Sequence, residues 1–155
     1  MPVPDFVLEL RRRIGQAQLW LPGVTAVVRR DQDVLLVRRS DNGQWAPITG
    51  IVDPGEHPGV AARREAWEEA RVVVTVDRLA MVSVTAPVTH VNGDRAIYLD
   101  HAFACTWVSG EPVVGDDESV EVAWFEHTRL PRMKPELAER ITVALSDEAV
   151  TRFRS

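Results

Sequence analysis

The sequence is poor in cysteine and lysine, and it has no long apolar run. Its one cysteine, Cys105, excludes an intrachain disulfide and any metal site built from several thiolates. The apolar neighbours of Cys105 indicate a small buried side chain. Lys134 is the one lysine, so arginine carries almost all of the positive charge. Since no stretch approaches the roughly 20 apolar residues that cross a bilayer, we expect no membrane partner.

The charge balance is acidic, with a formal net charge of −5 at pH 7. Proteins that bind long nucleic acids need clustered Lys and Arg, and the clearest basic run here is Arg11-Arg12-Arg13. We therefore expect no long nucleic acid as a partner. The same arginines interrupt the N-terminal apolar residues before they reach signal-peptide length, so the expected location is the cytoplasm.

The length of 155 residues suits one domain of ordinary size, and a hydrophobic content of 45% argues against disorder. We interpret residues 1–20 as an N-terminal helical extension and residues 21–155 as a single domain. Pro4 is a suitable first residue for a helix from Asp5 to about Gln16. The tract Leu21-Pro22-Gly23 then ends the helical pattern.

The rest of the chain alternates strand-like and helix-like patterns. Residues 45–56 are rich in Pro and Gly and predict a loop with short extended pieces, and Asn92-Gly93 predicts a tight hairpin turn. Together the patterns indicate an α/β or α+β fold, in which helices pack on a mixed sheet. The expected strands are residues 23–30, 34–39, 72–76, 79–88, 96–108 and 120–125, and the expected helices after the first are residues 57–71 and 135–149.

The helix expected at residues 57–71 carries the most chemical information. Glu65, Glu68 and Glu69 are spaced i, i+3 and i+4, so their carboxylates project from one face. We expect that face to lie opposite an apolar stripe made only of alanine, at positions 62, 66 and 70. Like charges at this spacing repel each other, and Arg64 alone does not neutralise them. A divalent cation would, although a solvated acidic face with Arg63 and Arg64 as surface partners is the alternative.

The residues before the helix decide between these alternatives. The stretch GIVDPGEHPGVAARREAWEEARV, from Gly50 to Val72, closely resembles the Nudix signature G-x5-E-x7-R-E-U-x-E-E-x-G-U, in which U is apolar. The spacing holds over 23 positions without a gap. The likeness extends over roughly residues 24–131, with Gln44-Trp45 similar to the family's entry strand and Ala123-Trp124-Phe125 to its closing segment.

The resemblance implies a Nudix-type α/β/α sandwich with a mixed central sheet. It also implies a hydrolase that uses Mg²⁺, or Mn²⁺ as a substitute, to cleave the diphosphate linkage of a small nucleotide. Small enzymes of this family are often dimers, so a homodimer is expected. The family's roles carry over onto matching residues: metal ligands Glu65, Glu68 and Glu69; an orienting arginine, Arg64; a supporting acid, Glu56; a close-approach glycine, Gly50; and a further acid before the last strand, Glu118.

Several points stay open in the sequence. The general base is one of Glu65, Glu69, Glu118 and Glu56. Asp116 and Asp117 compete with Glu118 for the loop acid, and a solvated acidic loop is an equal alternative. The family's last glycine is Arg71 here, and its glycine before Gly50 is Thr49. We expect the helix to end differently at Arg71 or to run slightly longer, since a left-handed residue other than glycine costs about 1 kcal/mol or more.

The substrate is the least constrained feature. Pro87, fifteen residues past Val72, is similar to a proline of the ADP-ribose pyrophosphatases and favours an ADP-ribose-like substrate. Trp20, Trp45 and Tyr98 are the candidates for stacking on a base. The alternatives are a (deoxy)nucleoside triphosphate pyrophosphohydrolase and a non-catalytic nucleotide-binding module of the same fold.

Overall fold

The computed structural model describes residues 3–155, so Met1 and Pro2 of the expected N-terminal extension lie outside the described residues. The chain forms three helices and eight strands within this range. In chain order they are α1 (Asp5–Ile14), β1 (Leu19–Arg30), β2 (Asp33–Arg39), β3 (Trp45–Ala46), β4 (Ile48–Ile51), α2 (Pro58–Ala70), β5 (Val73–Val84), β6 (Val88–Thr89), β7 (Arg95–Ser109), β8 (Ser119–Glu126) and α3 (Pro135–Leu145).

All eight strands belong to one mixed sheet. Its main path runs β3-β2-β1-β7-β5, while β4 pairs with β1, β6 with β7 and β8 with β2. The central pair, β1 and β7, is parallel, and the other pairs are antiparallel. Because β4 is antiparallel to the first half of β1, the loop that leads into α2 is fixed to the centre of the sheet.

Side-chain alternation along the strands sends apolar residues to both faces of the sheet. In β1, Val24, Ala26 and Val28 pack with the alanines of α2, while Val27 packs with α3 on the other face. Both strand faces are thus buried under helices, which explains the near-continuous apolar run in β1. This helix–sheet–helix arrangement confirms the predicted fold class.

The first helix joins the sandwich at one end of the cleft described below. Val7 of α1 packs with Leu21 and Ala96 in a small separate core. Arg11 Nη2 donates to the Arg95 carbonyl at 2.7 Å, which ties α1 to the start of β7. None of the helices in residues 3–155 has the length and apolar character needed to cross a membrane.

The observed elements differ from the predicted ones mainly at their ends. The two strands expected at residues 72–76 and 79–88 are one strand, β5. Its pairing with β7 continues through the polar residues, because the register shifts between Val76 and Arg78 and between Leu79 and Met81 without ending the pairing. The last helix ends at Leu145 rather than near residue 149, and there Arg78 Nη2 donates to carbonyls at its C-terminal end. The first helix ends at Ile14, and β1 already begins at Leu19.

Candidate active site

Helix α2 presents its acidic residues to the protein interior rather than to solvent. Glu65 is completely buried and Glu69 nearly so, on the side of the helix that also buries the alanines. The expectation that the acids lie opposite the alanine stripe was wrong for these two residues. Glu69 follows Ala62 by seven residues, close to two helical turns, so the two share a face. Glu68 is only half-buried, with 36% of its side chain exposed.

Gly50 makes room for the buried Glu65 side chain. It lies in β4 opposite Val24 of β1, directly beneath α2. A Cβ atom built on Gly50 would lie 2.1 Å from both Cδ and Oε1 of Glu65, a distance that no side chain tolerates. The glycine is therefore required by the close approach of strand and carboxylate, and not by an unusual backbone angle.

Arg64 binds three of the four acids that we call the carboxylate cluster, Glu56, Glu65, Glu68 and Glu69. Its Nε and Nη2 atoms donate to the two oxygens of Glu56, both at 2.9 Å. Its Nη1 atom donates to Glu65 at 2.8 Å and to Glu68 at 3.0 Å. Nη2 also reaches the carbonyl of Ile51 at 3.0 Å, so the same guanidinium holds the loop before α2. One positive charge thus orients three carboxylates.

The protonation of the cluster follows from burial and charge. Burial raises the pKa of Glu65 to about 8, although the neighbouring Arg64 lowers it. Burial raises the pKa of Glu69 well above its usual range, and Glu65, Glu118 and Asp116 raise it further. The pKa of Glu56 is lowered, mainly by its hydrogen bonds from Arg64. Glu56 is therefore the anion that fixes Arg64, whereas Glu65 shares this one cation with Glu56 and Glu68.

This surplus of carboxylate oxygen suits a hard divalent cation. Oε2 of Glu65 is buried without a hydrogen-bond partner in the part of the chain that the structure describes. Arg64 donates to one oxygen of Glu65 and to one oxygen of Glu68. Within residues 3–155, no group of three acidic, histidine or cysteine side chains is already arranged to hold a metal ion. The residues present nevertheless fit a divalent metal in charge and in donor chemistry.

A cleft of about 700 Å³ opens beside the cluster, between α1, α3 and the segments that flank β6. Gly50, Glu118 and Arg39 are among the residues that line it, as are Asp100 and Arg140 of β7 and α3. Trp45, Tyr98 and Pro87 also line the cleft. The third aromatic residue proposed to stack on a base, Trp20, is not among the residues that line the cleft, and 59% of its surface is exposed.

Glu118 is held at the edge of this cleft, directly before β8. Its carbonyl accepts hydrogen bonds from the backbone N–H of Ser40 at 2.8 Å and from the Ser40 hydroxyl at 2.9 Å. Its own N–H donates to Asp116 Oδ1 at 3.1 Å. Burial raises the pKa of the Glu118 carboxyl. The structure thus brings Glu118 to the cleft and close to Glu69.

A second charged group in the cleft was missed by the sequence reading. Arg140 and Asp100 are both about 95% buried, and Arg140 Nε lies 3.3 Å from Asp100 Oδ2. Thr25 joins them: its hydroxyl donates to Asp100 at 3.0 Å and accepts from Arg140 Nη1 at 3.1 Å. The available signal was a polar residue inside each apolar run, Thr25 in GVTAVV and Asp100 in IYLDHAF.

Arg71 ends α2 as a glycine would. Its φ and ψ angles are 58° and 28°, and its N–H donates to Ala66 and Trp67 carbonyls. The expectation of a different or longer helix end was therefore wrong, because Arg71 accepts the left-handed conformation. Its side chain donates to the Gly115 carbonyl at 2.7 Å.

Comparison with known proteins agrees with this geometry. A sequence model of the NUDIX domain family matches residues 19–145. The chain belongs to the Nudix family. This Nudix chain is 35% identical over 99 residues to a MutT-like protein of Streptomyces ambofaciens, a match that covers 64% of the chain and 58% of that relative. It is 33% identical over 116 residues to the NAD-capped RNA hydrolase NudC of Edwardsiella ictaluri, covering 74% of the chain and 42% of the relative.

Solved structures share the fold of this Nudix chain. A UDP-X diphosphatase superposes with a TM-score of 0.67 at 22% identity, covering 90% of the chain and 68% of that structure. An ADP-ribose pyrophosphatase from Streptococcus suis superposes with a TM-score of 0.64 at 20% identity, covering 86% of the chain and 98% of that structure. The matched parts amount to about half the length of the two sequence relatives.

Proposed function

We propose that this Nudix chain is a metal-dependent hydrolase that cleaves the diphosphate linkage of a nucleoside diphosphate derivative. The observation that carries the proposal is the carboxylate cluster, in which one arginine orients three acids and the buried Glu65 Oε2 has no hydrogen-bond partner among the described residues. Such a group of acids is costly to bury without a cation. It is explained by a metal-binding role better than by a structural one.

The metal ligands in this proposal are Glu65, Glu68 and Glu69, and Mg²⁺ is the favoured metal because it takes oxygen ligands and tolerates water in its remaining positions. When bound, the cation neutralises charge on the diphosphate oxygens and makes water a better nucleophile. Arg64 holds Glu65 and Glu68 in place by ion pairing, and Glu56 holds Arg64. Glu56 therefore acts on the site through another side chain.

Glu118 is the best-placed proton acceptor for the attacking water. It lines the cleft and is fixed through its backbone by Ser40. A base is most effective when its pKa is near the working pH, and burial moves the pKa of Glu118 upward in that direction. Arg39, which also lines the cleft and pairs with Asp41 at 2.8 Å, supplies a cation for a phosphate on that side.

The shape and lining of the cleft support a nucleoside next to the diphosphate. Trp45 and Tyr98 offer aromatic surface, while Asp100 and Arg140 offer an acceptor and a donor for the polar edge of a base or sugar. An ADP-ribose-like compound is the favoured substrate. Support comes from Pro87 in the cleft wall and from neighbours of the same fold that are named ADP-ribose pyrophosphatase and UDP-X diphosphatase.

The test is hydrolysis of a panel containing ADP-ribose, NADH, diadenosine polyphosphates and (deoxy)nucleoside triphosphates, with Mg²⁺ or Mn²⁺ and with EDTA. We expect Mg²⁺-dependent release of AMP from ADP-ribose. Preference for a triphosphate would keep the metal chemistry and replace the substrate. The absence of turnover on every compound with either metal would contradict the proposal and favour a nucleotide-binding module.

We also propose that the chain forms a homodimer, which the exposed apolar side chains of α1 support. Leu8, Leu10 and Ile14 are each about 40% exposed on one short helix. Sedimentation velocity tests the proposal, and a monomer at micromolar concentration would contradict it. The proposed catalytic residues all lie in one chain, so this outcome leaves the hydrolase proposal unaffected.

A further inference from the structure

The residue at the end of α2 keeps an arginine side chain at a position whose backbone favours glycine. A left-handed residue other than glycine costs about 1 kcal/mol, and Arg71 adopts that conformation with φ 58°. The helix end itself needs only the backbone of this residue, whose N–H donates to Ala66 and Trp67 carbonyls. The arginine side chain is therefore not required to end the helix.

That side chain connects α2 to residues 111–118, which we call the acidic loop. Arg71 Nη2 donates to the Gly115 carbonyl at 2.7 Å, and its guanidinium carbon lies 5.7 Å from the ring centre of Trp67. Stacking on the tryptophan restricts the arginine to the side of the helix that faces the loop. The contact thus joins two segments that are 44 residues apart in sequence.

The loop touches the same helix end through its backbone. Val113 N–H donates to the Ala70 carbonyl at 3.1 Å, and Gly115 N–H donates to the Glu69 carbonyl at 2.9 Å. A Cβ atom on Gly115 would lie 2.0 Å from the Glu68 carbonyl oxygen, so the loop lies flat on the last turn of α2. One of these hydrogen bonds uses the carbonyl of Glu69, which is one of the three glutamates proposed to bind metal.

Electrostatics oppose this arrangement. Asp116 and Glu118 follow the contact directly, and they lie near the carboxylate of Glu69. Like charges in a poorly solvated place repel strongly, so the contacts that hold the loop against α2 act against this repulsion. Arg71 supplies a positive charge and a hydrogen bond at that point, and Ser40 holds the far end of the loop at Glu118.

We propose that Arg71 is a positioning residue, whose guanidinium holds the acidic loop against the C-terminal end of α2 and so places Glu118 beside Glu69. The consequence for turnover rests on the proposed function, since it requires the Glu118 carboxylate to serve the reaction. The statement that Arg71 holds the acidic loop against α2 does not rest on the proposed function. A glycine at this position ends the helix equally well but leaves the loop without this anchor.

The experiment compares Arg71→Gly with Arg71→Lys and with the control Arg63→Gln. Arg71→Gly removes the side chain and also the cost of the left-handed conformation, so a loss of function cannot be blamed on a weaker helix end. Arg71→Lys keeps a cation that is able to reach a carbonyl. Arg63 is an exposed arginine of the same helix, so its replacement controls for the loss of one charge near the cluster.

Three measurements are made on each protein: hydrogen exchange, turnover and the melting temperature. The first is amide hydrogen exchange of residues 111–118, which we expect to be about tenfold faster in Arg71→Gly and close to wild type in Arg71→Lys and Arg63→Gln. The second is steady-state turnover with Mg²⁺, in which kcat is expected to fall about tenfold in Arg71→Gly while KM changes less than about threefold. Arg71→Lys should recover part of the lost kcat, and the melting temperature of Arg71→Gly should equal or exceed that of wild type.

Unchanged exchange of the acidic loop in Arg71→Gly would overturn the anchor, whatever the enzyme does. Faster exchange with wild-type kcat would overturn the role in positioning Glu118. If the wild-type protein turns over none of the diphosphates, the proposed function fails, and the exchange measurement still decides whether Arg71 holds the loop.

Discussion

Arg64 and Arg140 both bind buried or half-buried carboxylates, but with opposite charge balance. Arg140 faces the single carboxylate of Asp100 and shares Thr25 with it, so the two charges balance, although Arg140 Nε makes no hydrogen bond among the described residues. Arg64 faces three carboxylates and has Glu69 close by. A balanced buried pair specifies how elements pack, whereas an unbalanced one stores negative charge that a cation can use. The difference separates a structural ion pair from a cluster that is able to attract a cation.

Removing an acid from the unbalanced cluster gives the largest expected effect. Glu69→Gln should lower Mg²⁺-dependent turnover by at least about a thousandfold, or roughly 4 kcal/mol, because a proposed metal ligand is lost. The fold should remain, since the amide relieves repulsion from Glu65 and Glu118. Steady-state kinetics and a melting curve without metal measure both effects. A variant with most of its activity would remove Glu69 from the metal site.

Breaking the balanced pair should instead affect stability. Arg140→Met leaves Asp100 buried without its cation, so we expect a loss of about 3–5 kcal/mol in the free energy of unfolding. The double variant Asp100→Asn with Arg140→Met leaves no unpaired charge and should recover more than half of that loss. Urea unfolding at pH 7 provides the comparison. Equal losses in the single and double variants would show that packing, and not charge, is what Arg140 contributes.

The unbalanced cluster also predicts how stability depends on pH. The folded protein raises the pKa of Glu65 to about 8 from a model-peptide value of 4.5, so the folded state holds this proton more tightly than the unfolded state. The stabilisation is complete below pH 4.5 and is lost as pH rises through 8. Between pH 5 and pH 8 without divalent metal, the free energy of unfolding should therefore fall, on the order of 2 kcal/mol.

Magnesium is the control for this pH effect. A bound cation favours the ionised carboxylates, so saturating Mg²⁺ should flatten the decline and raise stability most at pH 8. The balanced pair shows no such linkage to metal. Denaturant unfolding at several pH values, with and without Mg²⁺, tests both statements. A stability that rises from pH 5 to pH 8 in EDTA would contradict the assignment of Glu65.

An exposed pair provides the smallest effect and calibrates the others. Arg13 and Glu9 are 3.1 Å apart on α1, with 76% and 62% of their side chains exposed. Solvent screens such pairs, so Glu9→Gln should change the free energy of unfolding by less than about 0.5 kcal/mol. Turnover should not change. A loss above 1 kcal/mol, measured by urea unfolding, would mean that α1 makes contacts through Glu9 that the single chain does not show.

The sequence predicted which residues form the carboxylate cluster better than it predicted how deeply their side chains are buried. The fixed spacing from Gly50 to Val72 identified every member of the carboxylate cluster, because the spacing of a motif is visible in one dimension. The burial of Glu65 and Glu69 was not visible, since helical periodicity gives the spacing of side chains around α2 but not how much of the helix surface the sheet covers. The same reason hid the pairing of Arg140 with Asp100, which joins residues 40 positions apart.

Fold prediction failed where tertiary pairing overrode local pattern. Residues 79–88 read as a separate strand, but continuous pairing with β7 carries β5 through its polar residues and ends it at Val84. Arg71 read as a defect at a glycine position, and contacts with Gly115 and Trp67 explain how it is tolerated. In both cases the deciding partners come from distant parts of the chain.

The parallel pairing of β1 with β7 has a consequence for the order in which the molecule assembles. Leu19 pairs with Ala96 and Arg29 with Thr106, so the centre of the sheet closes a loop of 77 residues. Contacts of such long range slow the folding of a domain, because chain entropy is lost before they form. β4 and α2 rest on β1, and the acidic loop follows β7. Helix α2 therefore precedes, by a long stretch of chain, the strand that completes its support, and we expect a chain truncated before β7 to remain unfolded and to need protection from aggregation.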